Sequence, residues 1–182
     1  MNRNVQIVLL CEDRQHEVFA RRFLEKRGWS TRRLRVENAP PGQGSAEAFV
    51  RNRFPKELAA YRARCHRVAQ CLVVVVDGDS KGVDGRLVEL KRACETGGLK
   101  VPQPGERVAI FVPAWNIETW LAYLEGETVD ECRADYPRLR RARDCRRHAD
   151  QLHRMCQQGK LRPPSPRSLN AACEEFRLRL CQ

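Results

Sequence analysis

From Val5 onward, short apolar runs alternate with stretches whose apolar positions recur every three or four residues. Val5–Cys11 is a first apolar run, closed by Glu12 and Asp13, and predicts a buried strand. Arg14–Arg27 changes to helical spacing, with Phe19 and Phe23 four apart and Val18 and Leu24 beside them, and Gly28 stops it. Arg32–Asn38 alternates Leu34 and Val36 with arginine and glutamate and predicts a weaker strand at a sheet edge. Ser45 is placed to cap a helix from Ala46 to about Cys65, which Pro55 is expected to kink or divide. Cys71–Val76 is β-branched and apolar throughout, which predicts a central strand buried on both faces. A helix is expected over Asp84–Cys94, a strand over Arg107–Pro113, and a short helix after an Asn116 cap, with Ile117, Trp120, Leu121 and Leu124 on one side. Pro137–Gln158 predicts a basic helix with Cys145, Ala149, Leu152 and Cys156 inward, and Ser168–Leu180 a last helix.

Strand and helix patterns thus alternate from residue 5 to about residue 125. That order predicts a three-layer α/β fold with a mostly parallel sheet flanked by helices. The expected organisation is an α/β domain over residues 1–130 and a basic helical extension over 131–182, packed on it.

Charge sharpens this division. The chain of 182 residues carries a net charge of +11. Residues 1–132 hold 21 Lys and Arg against 18 acids, whereas residues 133–167 hold 11 against 3. The excess is mostly arginine, whose planar fork suits phosphate, so a polyanionic partner is expected, with Arg140, Arg141, Arg146 and Arg147 as nucleic-acid contacts. The plainer reading is a solvated arginine-rich face. Nine cysteines lack any Cys-x-x-Cys pair and read as free thiols acting as small hydrophobes. No apolar run nears the ~20 residues of a membrane span. Met1–Asn4 leads straight into the first strand without a signal-peptide pattern, so a cytoplasmic protein is expected.

The candidate chemistry lies where apolar runs end in acids. The central run stops at Asp77-Gly78-Asp79, and nothing in a buried strand demands two carboxylates there. Open α/β sheets keep their ligands at that end. The first strand ends in Glu12. In a parallel sheet with neighbouring strands, three carboxylates meet at one rim, a set of hard oxygens suited to magnesium or manganese. Each feature has a plainer reading as well. The aspartates could cap a helix, Glu12 could be a solvated loop acid, and Glu118 could simply complement a helix dipole. Lys81 stands between phosphate contact and exposed loop lysine. His16 could be a base, a phosphate donor or a structural residue, Trp115 and Trp120 read as packing residues, and Gly42-Gln43-Gly44-Ser45 reads as a loop more than a phosphate cradle.

Glu12, Asp77-x-Asp79 and the nearby Gly82 resemble the metal-binding signature of TOPRIM domains, shared by topoisomerases, primases and small nucleases. Cys11–Phe19 and the block Val112–Leu121, with its proline followed by Glu118-Thr119-Trp120, resemble the single-domain overcoming-lysogenization-defect and RloB-like nucleases. The resemblance covers about residues 5–125, and one departure is Asp13, where those relatives usually carry glycine. It implies metal-dependent hydrolysis of DNA or RNA phosphodiesters. Glu12 would be ligand or general base, Asp77 and Asp79 ligands, Glu118 a further acid and Lys81 a stabiliser of phosphate charge. It also implies a phage-defence setting with an ATPase partner. Two other readings stay open: a degenerate TOPRIM module that docks nucleic acid or an ATPase, and a nucleotide-sugar transferase using Asp-x-Asp. Oligomeric state is open too.

Overall fold

The computed structural model describes residues 5–40, 42 and 44–181. Its centre is a four-stranded parallel sheet in the order β2-β1-β3-β4, built from β1 (Gln6–Cys11), β2 (Leu34–Asn38), β3 (Gln70–Val75) and β4 (Val108–Phe111). The helices are α1 (Arg14–Lys26), α2 (Ala46–Arg64), α3 (Gly82–Thr96), α4 (Ile117–Glu125), α5 (Arg146–Gln157) and α6 (Arg167–Leu180). This is a three-layer, Rossmann-like α/β fold. The strands β2 and β4 form the edges, and the weaker alternation of β2 fits its place there.

Side-chain alternation sorts the two layers. Ile7, Leu9 and Cys11 of β1, with Cys71, Val73 and Val75 of β3, face α1 and α6. Val8 and Leu10, with Leu72, Val74 and Val76, face α2 and α3. Each fully buried Leu or Val contributes roughly 1.5–3 kcal/mol over an exposed one, so both faces hold the sheet. A third apolar cluster joins α1, α4, α5 and α6 around Phe19, Trp120, Leu152 and Leu169. Two polar groups at its edge are satisfied internally: Trp120 Nε1 donates to Ser168 Oγ at 2.7 Å, and Tyr123 Oη donates to the Arg162 carbonyl at 2.6 Å. The final helix, α6, is part of the layer on the sheet, with Phe176 and Leu180 in the same cluster as β1 and β3.

Some local expectations are corrected. Helix α2 runs through Pro55 undivided, because Val50, Phe54, Leu58 and Tyr61 bury one side of it across that position. The basic segment is helical only from Arg146; a 3₁₀ turn spans Ala142–Cys145, and residues 137–141 form no helix. Arginines at 138, 140, 141 and 143 would crowd like charges on one helix, and regular helix begins where Ala149 and Leu152 can be buried. Asn116 occupies the N-cap position of α4 without a capping bond; its Nδ2 donates to the Ala134 carbonyl at 3.4 Å instead. All nine cysteines are free. Gln43 of the Gly42–Ser45 segment and the leading Met1–Asn4 lie outside the described residues. Among the described residues no helix is long and apolar enough to cross a membrane.

Candidate active site

The register of β1 on β3 decides where the acids fall. Cys11 pairs with Val75, so the residues that follow, Glu12 on one strand and Val76-Asp77 on the other, leave the sheet side by side. Glu12 Oε1 accepts the Asp77 N–H at 2.6 Å, a contact across 65 positions of sequence. After β1 the chain enters α1 on one face; after β3 it enters α3 on the other. The two loops therefore part at a topological switch point, where α/β sheets open a crevice.

The loop carrying Asp77 and Asp79 is fixed by the segment after β4. Gly78 N–H donates to the Pro113 carbonyl at 2.9 Å and Asp79 N–H to the Trp115 carbonyl at 2.8 Å. The backbones approach so closely that a Cβ on Gly78 would lie 2.2 Å from the Ala114 oxygen. Asp79 adopts a φ of 49°, a left-handed conformation that few side chains tolerate and that aspartate tolerates better than most.

Each acid is engaged by the protein. Asp77 Oδ1 stands 3.0 Å from Nε2 of the fully buried His16. His16 lies in the first turn of α1, where Asp13 is the N-cap and its Oδ1 accepts the His16 N–H at 2.9 Å. The Asp13 side chain therefore turns towards the helix. Asp79 Oδ2 accepts from Arg86 Nη2 at 2.9 Å. Arg86 is itself fully buried; its Nε donates to the Asp77 carbonyl at 2.8 Å and its Nη1 to Glu47 at 2.5 Å and Glu89 at 2.7 Å.

The acids shift one another's titration. Burial, then the charge of Asp77, pushes the Glu12 carboxyl up to about 7. Burial and Asp77 likewise hold Asp79 above its ordinary range, against the pull of Arg86. Burial opposes a charge on His16, but Asp77, through its charge and hydrogen bond, with help from Asp13 and Glu12, carries the imidazole up to about 9. Both shifts favour a bound proton: on Glu12 because burial and Asp77 disfavour a further anion, on His16 because Asp77 favours the cation.

The other expected site residues fall elsewhere or play other parts. Lys81 is half-exposed and its Nζ is ion-paired with Glu89. Glu118 is buried; its Oε1 accepts from Gln15 Nε2 at 3.1 Å and lies 3.7 Å from Arg138 Nε. It shares no hydrogen bond or ion pair with Glu12, Asp77 or Asp79 among the described residues. Trp120 is a core residue, as its spacing suggested. Arg140, Arg141, Arg146 and Arg147 are exposed, and Arg147 pairs with Glu125. The basic segment packs on the start of α1 and α4, where Cys145 Sγ lies 3.6 Å from the carbonyl of Gln15 and Arg138 reaches Glu118.

Two participants were under-read in the sequence. His16 reads in the sequence as base, phosphate donor or structural residue, and its place four positions after Glu12 is the signal that it lies near the acids. The local signal for Arg86 is its spacing, four and eight positions before Leu90 and Cys94 on the buried side of α3.

All three acids are hard oxygen donors with surplus negative charge, which suits magnesium or manganese. Among the described residues no three His, Cys, Asp or Glu side chains are gathered into a metal-holding group. Each of the three already has a protein partner: the Asp77 N–H for Glu12, His16 for Asp77 and Arg86 for Asp79. Comparison of the chain with protein-family models, curated proteins and solved structures found no match.

Proposed function

We propose that the protein is a divalent-metal-dependent phosphodiesterase, a nuclease of the TOPRIM type acting on DNA or RNA at the rim between β1 and β3. The observation that carries this reading is the contact of Glu12 with Asp77 at 2.6 Å, with Glu12 raised to about 7 by burial and by its anionic neighbour. A site with more carboxylates than cations is relieved by a cation from outside. Glu12, Asp77 and Asp79 would hold magnesium or manganese, which when bound polarises a phosphoryl oxygen and lowers the pKa of water.

The chain's own residues supply the rest. Glu12 would serve as a ligand or, where Asp77 and Asp79 alone hold the ion, as the general base. The His16 cation keeps Asp77 Oδ1 in one direction and offsets part of its charge. Arg140, Arg141 and Arg146 are exposed cations that would hold a phosphodiester backbone, an electrostatic and sequence-independent contact. The cytoplasmic setting, the ATPase partner and the role in phage defence rest on the resemblance and on composition.

The test is to incubate the full chain with single-stranded and plasmid DNA and with RNA, with manganese and with chelator. Metal-dependent cleavage, lost in Asp77→Ala and Glu12→Ala, is the expected result. Manganese binding with no cleavage of any substrate would overturn the hydrolase and favour a docking module, a second reading favoured by Arg86, which already occupies Asp79. Release of nucleoside diphosphate from a sugar nucleotide would favour the transferase.

A further inference from the structure

Arg86 is the largest fully buried side chain described, on the inner face of α3 in line with Leu90 and Cys94, where the spacing asks for an apolar residue. Burying a guanidinium costs several kcal/mol, and an apolar replacement for a buried ion pair is often neutral or stabilising. Stability alone is therefore a poor reason for an arginine here. Its hydrogen bonds point to another reason. Two go to Glu47 and Glu89, which line α2 and α3. The other two go to the loop that carries the acids: one to the carbonyl of Asp77, one to the carboxylate of Asp79. A cation needed only to join two helices would have no call to reach that loop. The reach also explains how Asp79 is held at a φ of 49°.

We propose that Arg86 is the positioning residue of the acid rim. Its planar fork holds the Asp77 peptide from one side, while the Asp77 N–H goes to Glu12 and the Asp77 carboxylate to His16, so all three groups of Asp77 have set directions. Glu47 and Glu89 hold the fork in turn. Lysine offers a single point of charge and cannot reproduce four directed bonds. The consequence for cleavage rests on the hydrolase reading; the control of the loop does not.

The experiment compares wild type with Arg86→Met and Arg86→Lys in amide hydrogen exchange without metal, manganese affinity, and cleavage kinetics. In Arg86→Met we expect exchange at Gly78 and Asp79 to rise at least tenfold while β1 and β3 keep their protection. Manganese should bind at least tenfold more weakly, and kcat should fall with KM unchanged. Arg86→Lys should recover part of each loss, and it carries the same readouts if the methionine variant fails to fold. Wild-type exchange at Gly78 and Asp79 in the variants would overturn the positioning role, as would unchanged manganese affinity in a wild type that binds it. A wild type that neither binds manganese nor cleaves overturns the hydrolase reading, while raised loop exchange in the variants still supports the hold of Arg86 on the loop.

Discussion

Two groups of charged residues sit on this sheet, and their balance differs. At the β2 edge, Arg35 and Arg53 face Glu37 and Glu57: Arg35 pairs with both glutamates, and Arg53 lies 2.9 Å from Glu57 and 3.2 Å from Glu37. Two cations meet two anions, and the result is a charged edge that discourages pairing with another strand. At the carboxyl rim between β1 and β3, Glu12, Asp77 and Asp79 are answered by His16 and by Arg86, which is shared with Glu47 and Glu89. There the acids outnumber the cations, and Glu12 and Asp79 are held above their ordinary range. A balanced group serves as scaffold; in the unbalanced one the excess of carboxylate favours the protonated form of Glu12 and Asp79.

The contrast is broken most directly by removing one acid from each group. Asp77→Ala should lower cleavage by about a thousandfold, the scale on which enzymes lose a directly acting electrostatic group. Glu57→Gln should leave cleavage unchanged and cost about 1–3 kcal/mol of stability, since it strips the buried partner of two arginines. Equal effects of the two on turnover, measured with folded protein, would erase the distinction.

The next largest effect is on stability against pH in the absence of metal. The Glu12 carboxyl is raised from 4.5 to about 7. Its stabilising contribution is therefore whole below pH 4.5 and is lost as pH rises through 7, a loss of about 3 kcal/mol. His16 is raised from 6.5 to about 9, so its contribution is whole below 6.5 and lost as pH rises through 9. Thermal melts should fall steadily over that span. Glu12→Gln should flatten the lower part of the profile. Saturating magnesium should raise Tm more at pH 8 than at pH 5, because the ionised acids bind it.

Gly78→Ala tests the seam that holds the acid loop. Its new Cβ would lie 2.2 Å from a backbone oxygen, which cannot give way as a side-chain tip could. A loss of about 1–3 kcal/mol, with weaker manganese binding, is expected in denaturant titrations. The smallest effect belongs to the basic segment. Replacing Arg140, Arg141 and Arg146 by alanine should reduce the slope of log affinity against log salt by up to about three. Arg147→Ala should change it less, because Glu125 already claims that side chain.

The parts legible in the sequence are those with a local cause. Apolar runs of β1 and β3 announce strands because both faces are buried, and acids at their ends stand out because a buried strand has no use for them. What escaped depends on neighbours distant in sequence. The burial of Arg86 is decided by Glu47, 39 positions earlier, and the Asp77 loop. The role of His16 is decided by Asp77, 61 positions later. The helix read through Pro137–Arg143 failed because its few apolar positions could not outweigh like charges, and the break expected at Pro55 did not appear because tertiary burial outweighed one missing backbone donor.

One consequence follows from the strand order. β1 is made first yet is flanked by β2 and β3, both of which come later in the chain. During synthesis its apolar side chains wait roughly sixty residues for their inner partner, a long-range closure of the kind that slows folding and leaves sticky intermediates. The contact of Glu12 with Asp77 cannot form until that wait ends, so amide protection of Asp77 after dilution from denaturant would time the completion of the sheet.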